Sequence, residues 1–284
     1  MDISKTNSLV ELFFDQAQKF DPNRPLLNWL KSEYNQEYSW SEVEQKILKL
    51  TNYIKNNIKN GDRCLLISEN RPEWLIADIA VMNAGGISVP VFTTYSFSDY
   101  EFIVKDCKPS LIIVSTNVQY KKIKKCINGS VNKIISFESV EGKSIVLEKI
   151  LRDYKANKYI NNKLTRQTPA CIIYTSGTSG NPKGVVLSHG GILSNCKGSL
   201  EILNSLIKKK DPVFLTWLPL SHSYEHTVQF IQILIGAKIF YAESLEKLIP
   251  NMLKAKPTIM TAVPRFYQNL YTKINITFKK HLIS

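Results

Sequence analysis

Residues 174–184 read Tyr-Thr-Ser-Gly-Thr-Ser-Gly-Asn-Pro-Lys-Gly, a stretch of hydroxyl residues and glycines with one lysine. Apolar runs of strand length, 170–174 and 185–187, stand on either side of it. Glycine lets backbone N–H groups approach an anion closely, hydroxyl groups add donors, and lysine adds a positive charge. The composition therefore predicts a phosphate-binding loop between two strands. The residues expected at the phosphates are Thr175, Ser176, Gly177, Thr178, Ser179, Gly180 and Lys183.

This loop differs from a Walker A motif in the place of its lysine. A Walker A motif puts Gly-Lys before Ser or Thr at the start of a helix, whereas Lys183 stands between Pro182 and Gly184. A hairpin turn that binds no ligand is the alternative interpretation. The ordered string, with its lysine three residues after the last loop glycine, favours a phosphate loop of another type.

Away from the loop, apolar runs of strand length alternate with longer amphipathic stretches. This alternation is typical of α/β proteins, with mainly parallel sheets that carry helices on both faces. Ser41 and Glu44 are predicted to form a capping box for a helix that ends near residue 60. Predicted strands are 63–68, 87–92, 111–114, 133–137, 213–216, 238–241 and 258–261, and predicted helices are 73–83, 100–106, 119–126, 192–207, 228–235 and 245–254.

A polar segment divides these elements into two blocks. Residues 154–168 are predicted to be a linker between a first βα subdomain, 1–153, and a phosphate-loop subdomain, 169–274. The last residues, 275–284, match no familiar pattern and are predicted to be an atypical tail.

Four blocks together resemble the adenylate-forming (AMP-binding) superfamily, which includes acyl-CoA synthetases, luciferases and peptide-synthetase adenylation domains. The first is the loop, and the second reads Trp-Leu-Pro-Leu-Ser-His-Ser-Tyr-Glu-His at 217–226. The third reads Pro-Thr-Ile-Met-Thr-Ala-Val-Pro-Arg at 257–265, and the fourth lies upstream at 70–90. The blocks come in the family's order, and the second and third look most similar to long-chain fatty acyl-CoA synthetases.

The resemblance implies ATP-dependent activation of a long-chain fatty acid to an acyl-adenylate and then to acyl-CoA. ATP, Mg²⁺ and coenzyme A are the implied cofactors and co-substrates. By resemblance, the loop holds the pyrophosphate part of ATP, and Thr178 lies near the Mg²⁺ ion. The implied acyl and adenylate pocket is formed by His222, Tyr224, Glu225 and His226. His226 matches a position that gates the fatty-acid tunnel in some long-chain enzymes, and a purely structural role for both histidines is the alternative.

The family's later motifs do not occur before Ser284. These are a Tyr-Gly-x-Thr-Glu turn, an aspartate for the ribose and a C-terminal lid domain with the catalytic lysine. We therefore expect the chain to correspond to the N-terminal part of such an enzyme, with no assigned catalytic residue. We also expect very weak or no synthetase activity from this chain alone.

Three other functions are compatible with parts of the sequence. One is another adenylate-forming ligase, such as an aryl-CoA ligase or a peptide-synthetase adenylation domain. The second is a protein that binds nucleotide or a partner without catalysis. The third is a zinc peptidase, because His222, Glu225 and His226 satisfy His-x-x-Glu-His. Pro219 and Ser221 disfavour it, since they place His222 at the irregular start of any helix.

Charge and cysteine content restrict the partners and the compartment. The net charge of +13 arises mainly from lysine, whereas nucleic-acid recognition favours arginine, so no nucleic-acid partner is expected. A basic surface suits ATP and CoA, and it also suits peripheral association with an anionic membrane. Five scattered cysteines and the lack of a signal-like N-terminus favour the cytoplasm, including the inner face of the membrane. A homodimer is compatible with the sequence.

Overall fold

Two β-sheets organise the chain in this computed structural model. The structure describes residues 3–31, 35–127, 129–157, 159–175, 182–207, 211–268, 270–272 and 275, without the side chains of 204–206. The strands are β1 (Pro25–Leu30), β2 (Asn35–Ser39), β3 (Arg63–Ile67), β4 (Ile87–Val91), β5 (Leu111–Val114), β6 (Lys133–Ser136), β7 (Ile145–Val146), β8 (Pro169–Thr175), β9 (Lys183–Ser188), β10 (Val213–Thr216) and β11 (Lys238–Tyr241).

Helices connect most of the parallel strands. They are α1 (Leu9–Ala17), α2 (Trp40–Lys55), α3 (Pro72–Asn83), α4 (Phe97–Cys107), α5 (Asn117–Ile123), α6 (Leu147–Asp153), α7 (His189–Ile207), α8 (Ser223–Leu234) and α9 (Leu248–Ala255). Short 3₁₀ turns occupy Ile3–Lys5 and Lys124–Cys126.

The strand order confirms a mainly parallel α/β fold. Within the described residues, the larger sheet has the order β7-β6-β5-β3-β4-β8-β9, and the smaller has the order β10-β11-β1-β2. Two neighbouring pairs in these sheets are antiparallel, β1 with β2 and β8 with β9, and both join strands that are consecutive in the chain. The other neighbours are parallel, as crossover connections through helices require.

Alternate side chains of β3 enter two different cores. Cys64 and Leu66 pack in the core that also contains residues of α2 and α3, whereas Leu65 and Ile67 pack with α4 and α5. Because successive strand residues point to opposite faces, helices cover both faces of the larger sheet. The smaller sheet shares the first of these cores, and its other face packs against α9.

The division between the sheets differs from the predicted division of the chain at 154–168. β8, which follows this segment, pairs with β4 in the larger sheet through Ser88 and Cys171. β1, from the start of the chain, lies between β11 and β2 in the smaller sheet. Each sheet therefore combines strands from before and after the polar segment.

The predicted capping box was displaced by two residues. Ser39 is the N-cap of α2: its Oγ accepts a hydrogen bond from the Glu42 amide at 3.3 Å, and Glu42 Oε2 accepts one from the Ser39 amide at 2.7 Å. Ser39 and Ser41 both precede a glutamate by three residues. Burial of Trp40 against the ring of Phe13 favours the earlier start.

Some predicted element ends also differ from the structure. α2 ends at Lys55, short of residue 60, and α9 begins at Leu248, after the predicted 245. The predicted strand at 258–261 is reduced to one bridge between Ile259 and Phe214.

Candidate active site

The antiparallel pair β8 and β9, named the phosphate hairpin from here on, presents the two ends of the predicted loop. Its pairing extends to Thr175 opposite Lys183, and both side chains are exposed. The structure therefore brings together the first and last predicted phosphate contacts. The other five, Ser176, Gly177, Thr178, Ser179 and Gly180, lie outside the described residues, so their role remains a prediction.

Tyr174, the residue before Thr175, is held at both its backbone and its side chain. Its carbonyl oxygen accepts a hydrogen bond from the Tyr95 hydroxyl at 3.0 Å, and its own hydroxyl donates to Asp106 Oδ2 at 2.5 Å. Burial, together with the hydrogen bond to Asp106, raises the pKa of Tyr174 well above its ordinary range. The Tyr174 hydroxyl therefore keeps its proton and remains a donor.

Gly184 gives the Tyr174 ring its space. The two residues are paired across the phosphate hairpin. A Cβ atom on Gly184 would lie 3.0 Å from Ile172 Cγ2 and 3.1 Å from Tyr174 Cζ, closer than ordinary contact. Gly184 does not have a positive φ, so the close approach of these two side chains, not backbone strain, favours glycine here.

The segment 217–222, named the pocket segment, is fixed by Asn70. The Asn70 side-chain amide donates to the Leu218 carbonyl at 2.7 Å, and its Oδ1 accepts from the Leu220 amide at 3.1 Å. Asn70 follows β3, so the larger sheet positions a segment that follows β10 of the smaller sheet. This contact joins two of the four sequence blocks.

His222 is the exposed N-cap residue of α8. Its Nδ1 accepts a hydrogen bond from the Tyr224 amide at 3.3 Å. The His222 ring lies edge-on to Phe92, with 6.4 Å between centroids, and Phe92 in turn contacts Tyr95 at 5.2 Å. The rings of Phe92 and Tyr95, which follow β4, therefore connect the start of α8 with Tyr174 of the phosphate hairpin.

His226, in contrast, lies in the core with no exposed surface. Its Nε2 is 2.9 Å from Asp78 Oδ2, and its Nδ1 is 3.5 Å from Cys171 Sγ. Burial alone would lower the pKa of His226, but the Asp78 carboxylate and the Cys171 side chain outweigh burial and raise the pKa to about 10. His226 therefore forms a buried charged pair that holds α8 to α3 and β8.

Glu225 is also buried and is linked to the third sequence block. Its Oε2 accepts a hydrogen bond from Thr261 Oγ1 at 2.9 Å, while the Thr261 carbonyl accepts from Trp217 Nε1 at 2.8 Å. Within the described residues, Glu225 Oε1 has no hydrogen-bond partner. Burial raises the pKa of Glu225 to about 8, against the opposing effect of Thr261. Most Glu225 side chains therefore carry a proton at neutral pH.

Apolar cavities lie beside Tyr224, between α7 and α8. One of about 470 Å³ is bordered by Leu187, Ile192, Tyr224, Val228 and Ile231, and also by polar side chains that include Asn195, Ser223 and Thr227. A second, of about 190 Å³, shares three of these residues, Tyr224, Val228 and Ile231, and extends to Phe214 and Ile259. Pockets for small ligands commonly have volumes of about 300–1,000 Å³ and predominantly apolar linings. The cavities therefore suit an apolar ligand, and Tyr224 stands at both.

Metal ligation gains no support from these contacts. Both ring nitrogens of His226 face partners in the core, Asp78 and Cys171, whereas His222 lies on the surface. Across the described ranges, no group of three His, Cys, Asp or Glu side chains could hold a metal ion. The zinc-peptidase interpretation thus has no supporting geometry. Thr178, the predicted Mg²⁺ ligand, is outside these ranges.

Sequence patterns did not identify the residues that join the blocks. Tyr95 and Asp106 lie outside the four blocks, whereas Asn70, Asp78 and Thr261 stood inside blocks without a role assigned to them. One signal in the sequence was the charge of Asp78 in the middle of a mostly apolar helix. As for membrane segments, none of the helices in the described part of the chain is long and apolar enough to cross a bilayer.

Comparison with protein families gives one match that covers most of the chain. The family described as "AMP-binding enzyme" matches residues 13–282. Among curated proteins, long chain acyl-CoA synthetase 4 of Arabidopsis thaliana is 28% identical over an alignment of 294 positions, which covers 95% of this chain and 44% of the plant protein. Fatty acyl-CoA synthetase A of Dictyostelium discoideum is 27% identical over 269 residues, which cover 85% of this chain and 38% of that protein.

Solved structures share the fold at low sequence identity. A long-chain-fatty-acid-CoA ligase (FadD1) from Archaeoglobus fulgidus aligns with a TM-score of 0.81 and 20% identity, over 95% of this chain and 54% of that one. ATP-bound MatB from Rhodopseudomonas palustris aligns with a TM-score of 0.77 and 21% identity, over 93% of this chain and 51% of that one. This chain thus spans about half or less of the length of these relatives.

Proposed function

The chain belongs to the AMP-binding enzyme family, and from this premise we propose that it serves the ATP-dependent activation of a long-chain fatty acid. The products are an acyl-adenylate and then acyl-CoA, with coenzyme A as the second co-substrate. The observation that carries the proposal is the pairing of Thr175 with Lys183 at the loop end of the phosphate hairpin. The long-chain acyl-CoA synthetases among the relatives support the substrate class.

In the first step, a carboxylate oxygen of the fatty acid attacks the α-phosphorus of ATP. A carboxylate–phosphorus bond forms, the bond from the α-phosphorus to the bridging oxygen breaks, and pyrophosphate leaves with both electrons. Attacking and leaving groups are anionic, so positioning and charge neutralisation supply most of the catalysis. Lys183 provides a positive charge and Thr175 a hydroxyl donor for the leaving pyrophosphate. Mg²⁺ would accompany ATP near Thr178.

The acyl chain is proposed to enter the apolar cavities between α7 and α8. Tyr224 borders both cavities and is two residues from His222, which lies exposed beside Phe92. Phe92 contacts Tyr95, whose hydroxyl bonds to Tyr174 in the phosphate hairpin. This series of contacts connects a site for an apolar chain with a site for phosphates, which is the arrangement that acyl-adenylate formation needs.

Ligand binding by the purified chain tests the proposal. Calorimetric titration with ATP should show binding, and Lys183→Ala should weaken it about 10- to 100-fold, because a charge-assisted contact contributes about 1.5–3 kcal/mol. Lys149→Ala, which removes an exposed lysine from α6, should bind ATP like the wild type. Equal ATP affinity in both lysine variants would contradict the phosphate role of Lys183.

The substrate class needs its own measurement. Hexadecanoate should raise the melting temperature of the ATP-saturated chain more than octanoate or benzoate at equal concentration, because a longer chain buries more apolar surface. Val228 borders both cavities. Val228→Phe should therefore reduce the response to hexadecanoate more than the response to ATP. A stronger response to benzoate than to hexadecanoate would instead indicate an aryl substrate.

A further inference from the structure

Two side chains from one βα unit converge on Tyr174, although Tyr174 belongs to another unit. Tyr95 lies between β4 and α4, and its hydroxyl donates to the Tyr174 carbonyl at 3.0 Å. Asp106 lies in the last turn of α4, and its Oδ2 accepts from the Tyr174 hydroxyl at 2.5 Å. The two contacts hold the backbone and the ring of the residue that precedes Thr175.

The support behind these contacts is itself well packed. Tyr100, Ile103 and Val104 of α4 are buried in one core with Tyr174. The Tyr100 hydroxyl donates to the Phe92 carbonyl at 2.8 Å, which fixes the backbone that leads to Tyr95. The backbone that carries Tyr95 and Asp106 can therefore move only with a packed helix or with the chain entering it.

The facing strand, β9, restricts the space around the Tyr174 ring. Gly184 faces Tyr174 across the phosphate hairpin, and a Cβ atom there would meet the Tyr174 ring at 3.1 Å. The ring thus lies close to the backbone of β9 at the residue after Lys183. Tyr174 precedes Thr175 and is paired with Gly184, the residue after Lys183, so its backbone position affects both predicted phosphate contacts at the mouth of the loop.

We propose that Tyr95 and Asp106 are positioning residues, which set the affinity of the phosphate hairpin for the phosphate groups of ATP by fixing Tyr174. This inference rests on the proposed function, since it assumes that the hairpin binds phosphate. Neither Tyr95 nor Asp106 needs to contact ATP for this role. Each removes freedom from the free hairpin, so that less conformational entropy is lost when the phosphates bind.

The main test is Tyr95→Phe, which removes one hydroxyl and keeps the ring contacts with Phe92 and Tyr100. We expect ATP and inorganic pyrophosphate to bind about 5- to 10-fold more weakly, as for the loss of one hydrogen bond. Adenosine, which has no phosphate, should bind with unchanged affinity. Tyr53→Phe is the matched control, because it removes a hydroxyl from α2 in a different core.

Asp106 allows a rescue experiment. Asp106→Ala should weaken ATP binding about as much as Tyr95→Phe does, whereas Asp106→Asn keeps an oxygen acceptor for the Tyr174 hydroxyl and should restore most of the affinity. Amide hydrogen exchange at Tyr174 and Gly184 should be faster in Tyr95→Phe and Asp106→Ala than in the wild type and Tyr53→Phe. Exchange reports the freedom of the hairpin without any ligand.

The outcomes separate the two proposals. If the wild-type chain binds neither ATP nor pyrophosphate, the proposed function fails and this inference fails with it. If the wild type binds ATP and Tyr95→Phe binds it equally well, only the positioning role is overturned. Equal losses of affinity for ATP and adenosine would also overturn it, because they would indicate a general structural defect.

Discussion

Two regions of β8 have opposite surroundings: the buried region around Cys171, called its inner end here, and Thr175 at its outer end. At the inner end, Cys171 is buried beside His226, which forms its charged pair with Asp78. At the outer end, Thr175 is exposed opposite Lys183. One strand thus joins a polar cluster that ties helices together to a polar pair that is open to ligand. Exposure therefore distinguishes Thr175, a candidate binding residue, from Cys171, which packs in the core.

The inner end should give the largest change in stability. His226→Ala would leave Asp78 buried without its partner, and removal of one member of a buried pair typically costs about 3–5 kcal/mol. Urea denaturation should show this loss. His222→Ala, which removes the exposed N-cap hydrogen bond at the start of the same helix, should cost less, about 0.5–2 kcal/mol. A similar small effect for both histidines would remove the distinction between them.

A marginal domain could fail to fold after this substitution. Asp78→Asn provides the second measurement, because it keeps the size of the side chain and an oxygen near His226 Nε2. We expect a smaller loss than for His226→Ala, and a His226 that titrates nearer its ordinary range. An unchanged His226 titration, followed by nuclear magnetic resonance, would mean that Asp78 is not the cause of the raised pKa.

Glu225 should produce the next largest effect, seen as a pH dependence. Its folded pKa of about 8 is above the unfolded value, so the folded state holds a proton that the unfolded state releases. Stability should therefore fall as pH rises from about 4.5 to 8, by at most about 1.4 kcal/mol per pH unit. Denaturant midpoints across this range measure the slope, and Glu225→Gln should flatten it.

His226 contributes with the same sign over a higher range. Its folded pKa of about 10 exceeds the ordinary value of 6.5, so its stabilising effect is complete below about pH 6.5 and is lost as pH rises towards 10. Glu225→Gln should leave this second decline in place. If Glu225→Gln removed both declines in stability, the titrations of Glu225 and His226 would be coupled.

Asn70 should have an intermediate effect on stability. Asn70→Ala removes two hydrogen bonds to the pocket segment and leaves the Leu218 carbonyl and Leu220 amide unpaired, at a cost of about 1–3 kcal/mol. Asn57→Ala is the matched control, since its amide bonds locally to the Tyr53 carbonyl. Equal losses of stability in Asn70→Ala and Asn57→Ala would mean that the contact of Asn70 with the distant pocket segment stabilises the fold no more than a local hydrogen bond does.

Local patterns predicted the bounds of several parallel strands. β5, β10 and β11 have the predicted bounds, because each is a short apolar run between polar or turn residues. β1 and β2 were missed. β1 gains its place by pairing with β11, where Leu27 lies opposite Ile239, and a pairing over such a distance in the chain leaves no local periodicity.

The candidate site was predictable in a similar way. The phosphate loop and the start of α8 carry dense local motifs, and the structure places Thr175, Lys183 and His222 on the surface. The residues that fix them could not be predicted, because Tyr95 and Asn70 act through one and two hydrogen bonds, respectively, with distant backbone. Such contacts depend on the strand order, which pairs β4 with β8.

The outer end of β8 should give the smallest change in stability, together with a change in binding. Thr175→Val keeps a β-branched residue at an exposed strand position and removes only the hydroxyl, so the unfolding free energy should stay within about 0.5 kcal/mol of the wild type. Loss of one donor to the phosphates should weaken ATP binding about 3- to 10-fold. Paired denaturation and titration measurements check both effects. A loss of stability without a loss of ATP affinity would place Thr175 with the inner, structural end of the strand.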